Sequence, residues 1–247
     1  MTIELYYDLK VEFSDKTMTQ QKVQIGFLIY PDVVQLDVMA AYQVLSFPPA
    51  TQTHLIWKTP DPIISNEGLI ITPTTTLEYC PTLDVICVPG GGIGQVNVIK
   101  DAEILVFLAK QGETAQYITS VCTGSLILAA AGLLTGYQAT CHWAFREQLA
   151  MLGVDVANQR VVVDRNRITG AGVTSGIDFG LTLINLLFGE EMAKLTQLML
   201  EYHPKPPFNA GTPETAGDAT TQQLLQFGKP LVDAFLAQTQ EIASKKF

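Results

Sequence analysis

The stretch Thr119-Ser120-Val121-Cys122-Thr123-Gly124-Ser125 carries the side chain best suited to covalent chemistry. Apolar and β-branched residues lead into it from Tyr117. An alanine- and leucine-rich run, Leu126 to Ala131, leaves it and ends at Gly132. The pattern predicts a buried strand, a sharp turn and a helix, with Cys122 at the junction. A thiol placed there meets the first free N–H groups of the helix and the positive end of its dipole. Both favour the nucleophilic thiolate. Gly124 and Ser125 are small enough to let a substrate approach the sulfur. A free cysteine can equally be an inert core residue, so the functional reading depends on what else the fold brings to it.

Three other places offer partners. Asp37 follows Gln35-Leu36 and opens a predicted helix. A carboxylate there suits the helix dipole, and a carboxyl group beside a thiolate is pushed to a higher pKa and keeps a proton it can donate. Gly90-Gly91-Gly92 follows a predicted strand. It lacks the spacing of a dinucleotide loop, the Walker A lysine and an acid for a ribose. The remaining use is an anion hole, with the bare N–H groups of Gly91 and Gly92 aimed at developing charge. His142, beside Trp143, is either the base of a Cys–His pair or a packing residue. Thr123, not a histidine, follows the cysteine directly. His54 and His203 read as structural, and Cys80 and Cys87 as packing.

Composition narrows the classes. The chain has 247 residues, 47% of them hydrophobic and 16% charged, enough for a sizeable core. A net charge of −9 and the lack of any basic cluster argue against a nucleic-acid partner. Cys80, Cys87, Cys122 and Cys141 form no Cys-x-x-Cys pair and cluster with no histidine, which argues against zinc, and four cysteines in 247 residues argue against a disulfide scaffold. No apolar run is long enough to span a bilayer. The start of the chain lacks the basic and apolar regions of a signal peptide, so no membrane and a reducing cytoplasm are expected. Residues 1–20 read as an extension, and residues 21–247 as one domain with a C-terminal helical segment.

The elements that must position these residues alternate. Val23 to Tyr30, Thr53 to Lys58, Leu83 to Val88 and the run before Cys122 are expected strands. Leu36 to Leu45, Asp101 to Lys110, Trp143 to Leu152, Ile177 to Phe188, Glu190 to Tyr202 and Thr220 to Ser244 are expected helices. Leu69 to Thr72 and Ala139 to Cys141 read as short strands. Arg160 to Asp164 and Arg167 to Thr169 read as a hairpin, and Gly170 to Gly176 as a flexible loop. Alternation of this kind predicts an α/β fold, a mostly parallel sheet with helices on both faces. Ligands then bind beyond the carboxyl ends of the strands, where the loops Pro31 to Asp37, Gly90 to Gly94 and Cys122 to Gly124 converge.

The Val121-Cys122-Thr123-Gly124-Ser125 turn, the Val88-Pro89-Gly90-Gly91-Gly92 loop, the Gln35-Leu36-Asp37 helix start, His142-Trp143 and Pro206-Pro207-Phe208-Asn209-Ala210-Gly211 resemble the ThiJ/PfpI branch of the class I glutamine-amidotransferase-like superfamily. Within it they resemble the isonitrile hydratases. The resemblance runs from about Val23 to Ala216. It implies a flavodoxin-like three-layer sandwich and a homodimer with no cofactor and no metal. It casts Cys122 as the nucleophile, Asp37 as the acid, and Thr123 as the family's threonine after the nucleophile. Ala171-Gly172-Val173 becomes a segment whose backbone N–H can reach the sulfur. Position 171 is Ala where the family has Gly, and Cys141 replaces a Thr. The implied reaction is addition of the thiolate to the terminal carbon of a small apolar isonitrile. Protonation by Asp37, attack of water and release of an N-substituted formamide follow. Val173, Phe179, Trp143 and Tyr30 are the expected apolar walls, and no lysine or arginine is called for. The rival readings are glyoxalase, deglycase or peptidase chemistry at the same cysteine, a ligand-sensing domain, and a redox-sensing thiol.

Overall fold

The computed structural model describes residues 22–246, so the expected extension at residues 1–20 lies outside the described residues. The near-continuous apolar runs become strands buried on both faces: β1 (Val23–Leu28), β2 (Thr51–Trp57), β6 (Val85–Val88) and β7 (Tyr117–Val121). With β5 (Thr75–Thr76), β10 (Val161–Asp164) and β11 (Arg167–Gly170) they form a seven-stranded sheet in the order β10-β11-β7-β6-β1-β2-β5. Every pairing is parallel except the β10–β11 hairpin, whose turn places Arg165 at φ 55°. A small antiparallel pair, β3 (Ile63–Ile64) with β4 (Ile70–Ile71), lies apart from it.

Helices cover both faces, giving the three-layer sandwich. On one side α1 (Gln35–Leu45) packs on α6 (Ser175–Phe188), and α6 on α7 (Glu190–Met199). On the other lie α2 (Gln95–Val98), α3 (Ala102–Gly112), α4 (Gly124–Ala130), α5 (Arg146–Met151) and the long α9 (Asp218–Lys246), which the one-turn α8 (Pro213–Ala216) precedes. Asp101 caps α3 by accepting from the N–H groups of Glu103 and Ile104 at 3.1 and 3.3 Å. Phe235 of α9 is fully buried and meets Phe145 edge-on at 5.1 Å, which ties the C-terminal helix to the same core.

Three expectations shift. The strand expected at Ala139 to Cys141 is β8 (Gln138–Ala139), paired with β9 (Asp155–Val156). It stops there because the Thr140 N–H is taken by Thr169 Oγ1 at 2.9 Å. The helix expected to reach Tyr202 ends at Met199, where Glu201 turns into the left-handed region at φ 49°. The expected loop from Gly170 to Gly176 is shorter: Gly170 pairs with Val121 in the sheet, and Ser175 already opens α6. The remaining turn is closed by Ser175 N–H to Gly172 O at 2.8 Å.

Candidate active site

The carboxyl ends of β1, β6, β7 and β11 lie along one edge. The segments after β1 and β6 are stitched together by a bridge between Val33 and Gly91 and by Val34 N–H donating to Gly90 O at 3.0 Å. Cys122 is the first residue past β7 and sits at φ 59°, a conformation that is strained for a side chain with a Cβ. Its N–H donates to Gly170 O at 3.1 Å, carrying the β7–β11 register one residue beyond the strand. The chain then turns straight into α4. That turn needs Gly124, since a Cβ there would run into the Val88 carbonyl. The expected strand, corner and helix are therefore all present, with the sulfur at the corner.

Asp37 is brought to the same place. It is 1% exposed, and its Oδ2 accepts the Gly90 N–H at 3.0 Å, while the buried Oδ1 has no hydrogen-bond partner of good geometry. Burial pushes its carboxyl up to about 7, against smaller downward pulls from the Cys122 side chain and the Gly90 N–H. The expected direction holds, but its main cause is desolvation rather than a neighbouring thiolate. For Cys122 the expected direction is reversed. Burial, and after it the Asp37 charge, pushes the thiol well above its ordinary value, and the Thr123 N–H opposes only in part. The helix start is thus outweighed, and thiol and carboxyl form a coupled pair that holds its last proton strongly.

Other expectations change once hydrogen bonds are counted. The Gly91 and Gly92 N–H groups are not bare. Gly91 donates to Gln95 Oε1 at 2.7 Å and to Thr123 Oγ1 at 3.3 Å, and Gly92 donates to Asp32 O at 2.8 Å. These residues are glycines for steric reasons, because a Cβ on Gly91 would meet the Tyr30 ring at 2.7 Å and one on Gly92 would meet Asp32 Oδ2 at 2.5 Å. Thr123 is likewise engaged. Its hydroxyl donates to Gln95 Oε1 at 2.7 Å, and its carbonyl accepts from Gln95 Nε2 at 2.7 Å. Its hydroxyl proton is therefore turned away from chemistry, and the residue positions the turn. Fully buried Gln95 locks the glycine loop to the cysteine turn; sequence reasoning passed over it as one glutamine after Gly94.

Of the expected walls, Tyr30 and Phe179 are fully buried. Tyr30 props the loop by donating to Pro89 O at 2.9 Å. His142, Trp143, Gly172 and Val173 do line a cavity of about 440 Å³. Cys122 and Asp37 are not on its wall, and Cys122 keeps 6% of its surface exposed. His142 is packed between Trp143 and Phe145, with ring centroids 5.5 and 5.8 Å away. Its Nδ1 accepts the Ala144 N–H at 3.3 Å. Burial, and then the Arg146 charge, holds its pKa down at about 4, which makes it a poor base at neutral pH. Arg146 and Arg160, outside the three converging loops, stand on the same wall. The Ala171 N–H is committed to Arg160 O at 2.8 Å. Cys141 is buried close enough for its charge to act on the Cys122 thiol, and its own pKa is pushed up to about 12 by burial. Among the described residues no cluster of His, Cys, Asp and Glu is placed to hold a metal ion, and no helix is long and apolar enough to cross a membrane.

Comparison with known proteins bears on the family and the fold. The sequence profile described as the DJ-1/PfpI family matches residues 23–186. An isonitrile hydratase of Pseudomonas putida is 48% identical over 224 residues, covering 90% of this chain and 97% of that protein. The transcriptional regulator GbdR of Pseudomonas aeruginosa is 31% identical over 72% of this chain, but only 50% of its own length is matched. Among solved structures, a ThiJ/PfpI family protein from Pseudomonas syringae superposes with a TM-score of 0.86 at 42% identity, covering 89% of this chain and 91% of the other. DJ-1beta of Drosophila melanogaster, at 20% identity and TM-score 0.69 over 74% of this chain and all of the other, shares the fold.

Proposed function

From the premise that this chain belongs to the DJ-1/PfpI family, we propose that it is a hydratase that converts isonitriles to N-substituted formamides through Cys122. The observation that carries the reading is the identity of 48% to an isonitrile hydratase over 97% of that protein's length. The pairing of Cys122 with a buried carboxyl raised to about 7 supports it chemically.

The reaction draws on the shared proton. With Asp37 ionised and Cys122 protonated, the carboxylate takes the thiol proton as the sulfur bonds to the terminal carbon of R–N≡C. Asp37 returns that proton to the same carbon, giving the thioimidate R–N=CH–S. Water then attacks this carbon, passing one proton to Asp37 while the nitrogen gains one. Collapse of the adduct expels the sulfur, which recovers its proton from Asp37. The sum is R–NC plus water giving R–NH–CHO, with the enzyme unchanged. The N–H of Thr123, which interacts with the sulfur, suits the charge that builds on it at each transfer.

The test is formamide release by purified protein from a small panel of alkyl isonitriles, with methylglyoxal beside them. The expected result is formamide from the isonitriles, lost in Cys122→Ala. Full turnover by that variant, or activity on methylglyoxal alone, overturns the reading.

A further inference from the structure

We propose that the cavity beside the Gly172-Val173 turn binds a carboxylate, so that the preferred substrate is an isonitrile that carries one. The inference rests on the isonitrile reading and changes the expected substrate from an uncharged molecule to a monoanion.

The argument begins with Arg146. It opens α5 and lines the cavity of about 440 Å³ together with His142, Trp143, Gly172, Arg160 and Glu214, a volume that suits a small-molecule site. Arg146 is half-buried, its Nε is buried without a partner, and among the described residues its guanidinium makes no hydrogen bond or ion pair. Buried polar atoms such as this Nε are ordinarily hydrogen-bonded, because an unpaired one loses hydration without recompense.

The neighbours leave the hydrogen-bond donors of this guanidinium free. Arg160 is held by Asp178, with Nε and Nη2 at 2.8 and 2.7 Å from Oδ2, and by Thr174 at 3.3 Å. Glu214 faces the same space and feels the Arg146 charge, but its carboxyl is turned to its own backbone N–H and to Thr212. His142 is kept neutral at pH 7 by burial and by Arg146 itself. The cavity therefore presents one free guanidinium fork, which fits a carboxylate through two parallel N–H donors. With the Glu214 carboxylate in the same space, the site suits a monoanion rather than a dianion.

Residues of the cavity wall are joined through the chain to residues that contact Cys122. Gly172 and Val173 follow Gly170, whose carbonyl accepts the Cys122 N–H at 3.1 Å. His142 follows Cys141, whose charge is felt at the Cys122 thiol. A carboxylate held by Arg146 would thus anchor a short substrate whose other end reaches toward Cys122.

The experiment compares 3-isocyanopropanoate with its methyl ester in the wild type, Arg146→Gln and Arg146→Lys. The reading is the ratio of their kcat/KM values within each protein, so that any loss of folded enzyme cancels. The wild type is expected to favour the acid by about 10- to 100-fold, mostly through KM, as for a charge-assisted hydrogen bond out of bulk water. Arg146→Gln is expected to remove that preference and Arg146→Lys to keep part of it. A wild-type ratio near one, or a ratio unchanged in Arg146→Gln, overturns the carboxylate site and leaves isonitrile hydration standing. A wild type that turns over neither compound overturns both.

Discussion

Replacing Asp37 by Asn keeps the shape of the side chain and removes its proton, and it separates stability from catalysis. The wild-type carboxyl is raised from 3.8 to about 7 by burial. A rise of that size means that the ionised form is disfavoured in the folded protein by about 4 kcal/mol relative to the unfolded chain. The sign follows from proton binding. Between pH 4 and 7 the folded state holds the proton that the unfolded chain has released, so stability falls as pH rises, and the loss is complete above pH 7. Asn carries no charge and escapes that loss. Its Oδ1 can still accept the Gly90 N–H now held at 3.0 Å. Its Nδ2, however, takes the place of an oxygen that has no partner, and buried unpaired donors cost about 1–3 kcal/mol. The expected balance is a variant about 1–3 kcal/mol more stable than wild type at pH 8, and less stable by a similar amount below pH 4. Thermal melts should show Asp37→Asn melting about 2–10 °C higher at pH 8, with the order inverted at pH 4. Formamide release by the same variant should fall about 10²- to 10⁴-fold. If Asp37→Asn were no more stable than wild type at pH 8, the ionised carboxyl would have to be compensated by groups other than those described. If its turnover were near normal, the proton would have to travel by another route.

The pH profile of wild-type kcat/KM should rise tenfold per pH unit up to about 7 and then level off, because the active pair carries one proton and that proton count is reached when Asp37 ionises; Asp37→Asn should lose this limb. Gln95→Leu removes the acceptor of Gly91 and Thr123 and the donor to the Thr123 carbonyl, and should cost about 2–4 kcal/mol in denaturant melts, with kcat lowered more than KM. Gly124→Ala forces a Cβ against the Val88 carbonyl; a loss of 3 kcal/mol or more, or failure to recover folded protein, is expected, and a wild-type melt would contradict the tight corner.

The parts of the site that sequence made legible are those whose cause is local. Cys122 stands out because an apolar run, two small residues and a second apolar run lie within a few positions of it. Asp37 is legible as a helix start, and the parallel order of the strands then carries it to the sulfur. What failed depended on contacts between distant segments. Gly91 and Gly92 were recognisable as glycines, but the reason for them is the Tyr30 ring and the Asp32 carboxylate, 61 and 60 residues away in the chain. Their N–H groups are consequently spent inside the loop. Gln95 carries no motif, and its role exists only where α2 meets the turn before α4. Arg146 carries no motif in the sequence, and only the fold places it, without a hydrogen-bond partner among the described residues, on a cavity wall.

The thiol shows most clearly where local reasoning stops. A helix start and its dipole stabilise a thiolate by about 0.3–1 kcal/mol at an exposed site, and that was the basis for expecting an ionised Cys122. The same turn that supplies the helix start also leaves Cys122 only 6% exposed, next to a carboxyl that is 1% exposed. Withdrawing an anion from water costs several times what the dipole returns, and a second anion at close range adds to that cost. A resting thiolate beside a protonated acid is therefore not required for reactivity. A buried pair that shares one proton can keep the sulfur neutral, and protected from adventitious electrophiles, until an isonitrile carbon arrives to take the electrons as Asp37 takes the proton. This account requires the pair to lose its first proton near pH 7 and its second far above it, so a thiolate absorbance that appears in wild type below pH 7 would contradict it.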